Sequence, residues 1–177
     1  MKIKAKSIFD YKTIKAFIRT SLFRKTDPLK KLLIYCFTFI LLAVILWVEM
    51  SLLGPSVSQY ILLGVCVAAL LLELYLYFGI PRLRYNALAN LKGCTNEFLF
   101  TDDYMQIKSS DSGFSGESRI KYTVLTKAVE TSKYMYIFQD KNHAYIVDKS
   151  TFSDGTPQQL QEKLQSILGK KYQIYKY

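Results

Sequence analysis

The chain has 177 residues and a formal net charge of +10, so it can form one compact domain, or a membrane element joined to one small domain. Half of its residues are hydrophobic, yet the mean hydropathy is only +0.09, because the apolar residues are concentrated in one part of the chain. Three cysteines without metal-type spacing and a single histidine argue against a disulfide framework and against a zinc-binding domain.

Residues 1–31 form a basic segment with ten basic and two acidic residues. Lys2–Ile8 alternates basic and apolar residues, which predicts a short strand, although a frayed terminus would show the same pattern. Asp10 is placed as a helix N-cap, and apolar residues follow it at helical spacing. Asp27-Pro28 ends this predicted helix.

This amphipathic helix has two interpretations. A basic helix beside a membrane is typically interfacial and attracted to anionic lipid, whereas its apolar stripe could instead pack on a cytosolic domain. In the first interpretation the positive charges of the segment face the inner leaflet of the membrane. The residues that we predict to face lipid are Lys12, Lys15, Arg19, Lys30 and Lys31.

Residues 32–80 contain two apolar runs, Leu32–Val48 and Val57–Ile80, separated by the turn signal Gly54-Pro55. A membrane-spanning helix needs about 20 apolar residues. The second run has that length, and the first reaches it if the helix continues to Leu53. The pattern predicts a transmembrane helical hairpin; the alternative is a helical hairpin buried in a soluble core.

The distribution of basic residues predicts the topology of this hairpin. The connection from Glu49 to Tyr60 contains no Lys or Arg, whereas Lys30-Lys31 and Arg82 flank the two runs on their outer sides. The positive-inside rule therefore predicts a multi-pass protein of the cell membrane with both termini in the cytosol. Tyr75 and Tyr77, near the inner end of the second run, fit an interfacial aromatic belt.

Glu73 is the ionisable residue that lies within a predicted span, roughly 10 Å from its inner end by the helical rise. A carboxyl group at that depth is costly and marks a candidate functional residue. Alternatively, the side chain reaches the inner interface, or it forms a hydrogen bond with Tyr35 or Thr38 on the first helix.

Residues 94–177 predict an α+β domain. The period of two from Cys94 onward indicates four or five antiparallel strands, with a polar Gly/Ser loop at Ser109–Ser118 and a hairpin turn at residues 140–142. Thr156, Pro157 and Gln159 predict the capped start of a C-terminal amphipathic helix, which would close the antiparallel sheet. Residues 2–8 could add an edge strand to this domain.

Two segments of the domain carry a resemblance to a known family. NEFLFTDDYMQIKSS and IKYTVLTKAVETSKYMYIFQDKNHAYIVDKSTF resemble the YcxB-like family of bacterial membrane proteins, whose pattern includes Val129-Glu130, a Tyr/Phe-rich strand and a Lys before an aromatic residue. The resemblance extends over nearly the whole chain. This chain has Tyr122 where the family often has Trp, and Asp148 where the family often has Pro. The resemblance implies a pleckstrin-homology-like curved sheet with a closing helix, and it implies no chemistry.

No constellation of residues predicts an enzyme, a metal site or a cofactor site. His143 lies beside a predicted hairpin turn, and the sequence shows neither a Cys–His nor a His–carboxylate cluster around it. The positive charge lies mainly before the hairpin, which favours lipid over nucleic acid.

Two functions therefore remain. The first is a membrane-anchored interaction module that binds protein or lipid at the inner leaflet. The second is a self-immunity or regulatory protein that acts against a membrane-active peptide such as a bacteriocin. The protein partner is unknown from the sequence, and a homo-oligomer is compatible with it.

Overall fold

The computed structural model describes residues 2–23, 26–111, 113–140 and 143–175, without the side chains of Ala89 and Phe114. Its contacts divide the chain into two compact units. The β unit comprises Met1–Phe17 and Leu88–Tyr177, and the hairpin unit comprises Ile18–Ala87.

The helices in chain order are α1 (Tyr11–Phe23), α2 (Pro28–Leu53), α3 (Val57–Leu74), α4 (Ile80–Ala87) and α5 (Pro157–Leu168). A π-helical turn, Tyr75–Gly79, joins α3 to α4. The strands are β1 (Ile3–Ile8), β2 (Thr95–Phe100), β3 (Tyr104–Asp111), β4 (Phe114–Lys121), β5 (Lys127–Glu130), β6 (Tyr134–Phe138), β7 (Ala144–Asp148) and β8 (Tyr172–Ile174).

The β unit contains two four-stranded sheets, with strand orders β1-β2-β3-β4 and β7-β6-β5-β8. All neighbouring strands are antiparallel except β5 and β8, which are parallel. β1 pairs with β2 from Ile3 opposite Phe100 to Ile8 opposite Thr95. The strand predicted at Lys2–Ile8 is therefore present, and it belongs to the same sheet as strands that follow the hairpin.

The core of the β unit is closed by α5. Leu160 and Leu164 are fully buried and pack with residues of both sheets, including Phe98, Phe100 and Ile137. The predicted capping box is confirmed, because the Gln159 amide N–H donates to the Thr156 hydroxyl while the Gln159 side chain accepts from the Thr156 N–H. Burial of such an apolar stripe is the main source of a helix's stability in a protein.

The first half of α1 packs on the β unit. Asp10 is its N-cap and accepts a hydrogen bond of 2.7 Å from the Thr13 N–H. Phe17 lies against Tyr136 and Phe138, with ring centroids 5.4 Å and 6.1 Å apart. Of the two interpretations of the amphipathic helix, the structure shows the second for these residues: the apolar stripe is covered by protein.

Two details of the β unit differ from the sequence prediction. Ser109–Ser118 was expected to be a loop, but its described residues extend β3 and begin β4, because an exposed hairpin needs no apolar alternation. β8 was not predicted. The tip of the hairpin turn predicted at residues 140–142 lies outside the described residues, although β6 and β7 pair as an antiparallel hairpin around it.

In the hairpin unit, α2 and α3 are joined at Gly54, which has a φ of +84°. Their less exposed residues recur at spacings of three and four, which is the seam of two packed helices. These residues include Leu32, Tyr35, Cys36, Phe39, Ala43, Leu46 and Met50 on α2, and Gln59, Leu63, Cys66, Leu70 and Glu73 on α3. Most of the remaining surface of both helices consists of exposed apolar side chains.

The helical conformation that begins with α3 continues through the π-helical turn and α4 to Ala87, beyond the apolar run, because the wider π-helical turn accommodates Pro81. Proline has no N–H to donate to the carbonyl four residues earlier, here that of Tyr77, and its ring crowds that carbonyl. The π-helical turn ends at Gly79, two residues before Pro81, and the Ile80 N–H donates to the Tyr75 carbonyl. Insertions of this kind are frequent at functional sites.

Candidate functional site

Arg19 supplies the donors that Pro81 cannot. Its Nε and Nη2 donate to the Tyr77 carbonyl oxygen at 3.3 Å and 3.2 Å. Its guanidinium also lies 3.5 Å from the centroid of the Tyr77 ring, within the range of a cation–π interaction. Arg19 therefore joins α1 to the π-helical turn within the hairpin unit.

Tyr77 is buried rather than interfacial. It forms a small cluster with Phe23 and Leu32, and it is only 6% exposed. The aromatic belt predicted from Tyr75 and Tyr77 is thus wrong for Tyr77, because the seven-residue period of the seam turns its ring inward and leaves Tyr75 on the outer surface.

Glu73 lies on the seam one turn before Tyr77. Its Oε2 is buried and has no hydrogen-bond partner among the described residues. The alternative partner Thr38 is exposed and donates its hydroxyl to the Ile34 carbonyl of its own helix at 2.9 Å. The structure therefore shows no hydrogen bond between Glu73 and Thr38, and Glu73 is a polar residue of the seam with one buried oxygen that no described residue bonds.

The five basic residues predicted to face lipid are divided between the two units. Lys12 and Lys15 belong to the β unit, and Arg19, Lys30 and Lys31 belong to the hairpin unit. The Lys31 ammonium lies 5.6 Å from the centroid of the Phe23 ring and 5.5 Å from that of Tyr35. Contact of these side chains with lipid stays a prediction, and the structure adds that Arg19 and Lys31 already have partners within the protein.

A buried polar network lies at the end of β5. Glu130 Oε1 accepts from the Lys149 ammonium at 2.6 Å, and Oε2 accepts from the Tyr172 hydroxyl at 2.5 Å. Lys149 also donates to the Thr131 carbonyl, and the Glu130 carbonyl accepts from the Tyr175 N–H. Glu130 is 5% exposed. The network ties β8 and the segment after β7 to β5, so the two charged residues of the family pattern have a structural role.

Two tyrosine hydroxyls of the β unit are held in their neutral form. Burial raises the pKa of Tyr172 well above its ordinary range, and its hydrogen bond to the Glu130 carboxylate adds to the effect. Burial likewise raises the pKa of Tyr122, with a smaller contribution from Asp102 and Asp103. The Tyr122 hydroxyl donates to the Thr101 carbonyl at 2.9 Å. Both hydroxyls act as hydrogen-bond donors within the fold.

The expectation that His143 has no carboxylate partner is wrong. His143 Nδ1 lies 2.7 Å from Asp140 Oδ2, and the His143 N–H donates to the other carboxylate oxygen at 2.8 Å. The spacing of three residues across a turn was the available signal. Both side chains are well exposed. Among the described residues no group of three His, Cys, Asp or Glu side chains could hold a metal ion.

The outer face of the first sheet carries a groove, defined by Lys4 and Lys6 of β1, Glu97 and Leu99 of β2, and Gln106 and Lys108 of β3. Its volume is about 420 Å³. Thr151 and Ser153 form one wall, because the segment after β7 pairs with the edge of β1: the Lys4 N–H donates to the Asp154 carbonyl and the Ser153 N–H to the Lys4 carbonyl. Sequence reasoning missed this groove, since it depends on strand register.

Cross-strand pairing arranges the charges of this face in rows. One row reads Lys6, Glu97, Lys108 and Glu117 across the four strands, and the next reads Lys4, Leu99, Gln106 and Arg119. The first row has alternating charges, with Lys6 3.0 Å from Glu97. In the second row the cations Lys4 and Arg119 stand at the two ends, and the two residues between them are uncharged. The two rows together thus combine four cations with two carboxylates.

Comparison with known proteins agrees with the sequence pattern. Residues 100–164 match the model of the YcxB-like protein family, which is the family that the pattern predicts. The matched region begins at the end of β2 and ends within α5, so it contains Glu130 and Lys149 but not the hairpin unit or Tyr172. It is shorter than the nearly full-length resemblance expected from the sequence. No curated protein and no solved structure matches the chain.

Proposed function

We propose that the protein is a membrane-anchored, non-catalytic interaction module of a bacterial cell membrane, whose cytosolic β unit binds a protein or lipid partner. The observation that carries this proposal is the combination of a helical hairpin with an apolar outer surface and a separate β unit that has a polar groove. In this arrangement the hairpin supplies the location and the β unit supplies the binding surface.

The outer surface of the hairpin favours a lipid environment. Helices Pro28–Leu53 and Val57–Ala87 are long and apolar enough to cross a membrane, and only 11% of the most apolar window of each is buried. Phe37, Trp47 and Leu53 are among the large apolar side chains that are more than half exposed. A contiguous apolar surface of this kind is rare on soluble monomers and would be covered by lipid in a spanning hairpin.

The ladder between β1 and β2 supports an even number of crossings. β1 precedes the hairpin and β2 follows it, and the two strands pair over six residues. Paired strands must lie on the same side of a membrane. Two spans between them satisfy this condition, so both flanks of the hairpin share one compartment.

The charges near the helix ends favour the cytosol as that compartment. Lys30, Lys31, Arg82 and Arg84 lie near the ends of the hairpin that lead to the β unit, whereas the turn at Gly54 has no basic neighbour within Glu49–Tyr60. This is the asymmetry that the positive-inside rule associates with the cytosolic side. Basic residues there also attract anionic lipid of the inner leaflet.

The β unit favours a pleckstrin-homology-like module. The C-terminal helix α5 closes the core of the β unit, as the family resemblance implies, although the strands form two mainly antiparallel sheets rather than the one curved sheet expected. The tightly bonded polar side chains, Glu130, Lys149 and Tyr172, hold strands together. The open sheet face with its groove is then the surface on which a partner can bind.

The topology is tested by cysteine-accessibility labelling in intact cells. We replace Cys36, Cys66 and Cys94 and introduce Ser58→Cys, next to the hairpin turn, or Ser153→Cys, in the β unit; both serines are exposed. We expect a membrane-impermeant reagent to label Ser58→Cys from outside and to label Ser153→Cys only after permeabilisation. Labelling of Ser153→Cys in intact cells would refute the proposal.

A further inference from the structure

The strand register of the first sheet indicates what kind of partner its outer face can bind. This inference deepens the proposed function, on which it rests. The row of Lys4, Leu99, Gln106 and Arg119 crosses all four strands of the sheet. Lys4 and Arg119 stand at its two ends, on the exposed face. Leu99 and Gln106 form a half-buried floor between them.

The separation of the two cations decides what the row can recognise. Neighbouring strands lie about 4.8 Å apart, so three strand spacings put the backbones of Lys4 and Arg119 about 14 Å apart. A single phosphate headgroup can contact both cations only if the Lys4 and Arg119 side chains both bend toward the middle of the row. An extended peptide advances about 3.3 Å per residue and points alternate side chains to the same side, so its residues i and i+4 are about 13 Å apart and i+2 lies between them on the same side.

We propose that the outer face of the β1–β4 sheet binds an extended acidic segment of a protein partner, with two carboxylates four residues apart and an apolar residue midway. One carboxylate contacts Lys4, the apolar side chain covers Leu99, and the second carboxylate contacts Arg119.

The neighbouring row supports an acidic rather than a basic partner. The carboxylates of this face already have partners within the sheet: Glu97 pairs with Lys6, and Glu117 accepts from the Gln106 amide at 2.7 Å and lies 3.8 Å from Arg119. Lys4 has no ion pair within 4 Å among the described residues. Charge complementarity therefore favours an incoming carboxylate at the Lys4 end.

The test uses the full chain in nanodiscs of neutral phosphatidylcholine and capped synthetic peptides, with the backbone amide signals of Leu99 and Gln106 followed by NMR. The probe is Glu-Ser-Leu-Ser-Glu. The matched control, Ser-Glu-Leu-Glu-Ser, has the same composition but turns its carboxylates away from the face that carries the leucine. We expect the probe to shift both signals and to bind more tightly than the control.

Variants identify the two ends of the row. Because an exposed ion pair contributes about 0.5–1 kcal/mol, Lys4→Ser and Arg119→Ser should each weaken probe binding about 2- to 5-fold. Lys170→Ser removes an exposed charge outside this face and should leave binding unchanged.

Three results would overturn the assignment. Equal binding of the two peptides would reduce the effect to non-specific charge attraction, and absence of any shift at Leu99 and Gln106 would remove the site. Shifts of these signals in nanodiscs containing anionic lipid, without peptide, would assign the face to a headgroup instead. The groove lies wholly within the β unit, so peptide binding can fail or succeed independently of the cysteine-labelling result on topology.

Discussion

The network around Glu130 allows a large single-residue effect on the stability of the β unit to be predicted. In Glu130→Gln the amide can keep one hydrogen bond, but the Lys149 ammonium loses its counter-charge at a site where its side chain is only 22% exposed. Removing one partner of a buried ion pair typically costs about 3–5 kcal/mol. Since Lys149 retains some solvent access, we expect the lower end of this range, about 3 kcal/mol.

The matched control is the exposed pair on the same β unit. Lys6 and Glu97 have a similar separation, 3.0 Å against 2.6 Å, but their side chains are 51% and 54% exposed. Exposed pairs contribute at most about 1 kcal/mol. Glu97→Gln should therefore leave the β unit nearly as stable as the parent protein.

Cys94 offers a specific assay for this comparison. It is buried in the β unit, whereas Cys36 and Cys66 belong to the hairpin unit. Pulsed thiol labelling of the full chain in neutral detergent at increasing urea, with mass spectrometry to identify the labelled cysteine, reports opening of the β unit alone. With a urea dependence of about 1–3 kcal/mol/M, the Cys94 midpoint should fall by about 1–3 M in Glu130→Gln.

The reasoning would be refuted if Glu130→Gln and Glu97→Gln shifted the Cys94 midpoint equally. A second comparison tests the mechanism rather than the size of the effect. Lys149→Met in the Glu130→Gln background removes the stranded charge, and we expect it to recover part of the lost stability.

Two further predictions concern the π-helical turn and the response to alkaline pH. A Cβ added at Gly79 would lie 2.6 Å from the Tyr75 ring, whereas one added at Gly64 meets nothing within 4 Å. Gly79→Ala should therefore destabilise the hairpin by about 1–3 kcal/mol, and Gly64→Ala should not. Trp47 fluorescence during denaturation in detergent measures both variants, and equal effects would contradict this explanation. Because the pKa of Tyr122 is raised in the folded protein, the contribution of Tyr122 to the free energy of unfolding is constant below the ordinary tyrosine pKa of about 10. Above that pH the unfolded chain loses a proton that the folded chain keeps, so stability falls by about 1.36 kcal/mol per pH unit. The Cys94 midpoint should decline less steeply with pH in Tyr122→Phe, and an unchanged slope would count against a buried neutral hydroxyl.

The sequence was most informative where local chemistry decides the structure. Asp10 and Thr156 are helix caps that accept hydrogen bonds from the residue three positions later, and Gly54 interrupts a long apolar run. All three features are visible in the sequence without knowledge of the fold. Long apolar runs also made the two helices of the hairpin predictable. The turn at Tyr75–Gly79 had a visible signal as well, because Pro81 follows Tyr77 by four residues.

The remaining features depend on pairings between distant parts of the chain. β4 is exposed along most of its length and therefore lacks an apolar alternation, and β8 has only three residues. The groove exists because Lys4 and Lys6 lie beside Glu97 and Leu99, and this placement is set only when β1 pairs with β2 across the intervening hairpin. No window of the sequence contains this information.

The position of β1 has a consequence for release of the β unit from its anchor. In most tethered domains one proteolytic cut in the linker frees the domain. Here a cut between Ala87 and Thr95 would leave β1 attached to the hairpin by its own chain, while six paired residues and the Asp154 and Thr151 contacts still hold β1 in the sheet. The fragment would stay attached to the hairpin until β1 was pulled out or a second cut was made beyond Ile8. Separation of the β unit from the hairpin unit therefore takes more than one proteolytic cut.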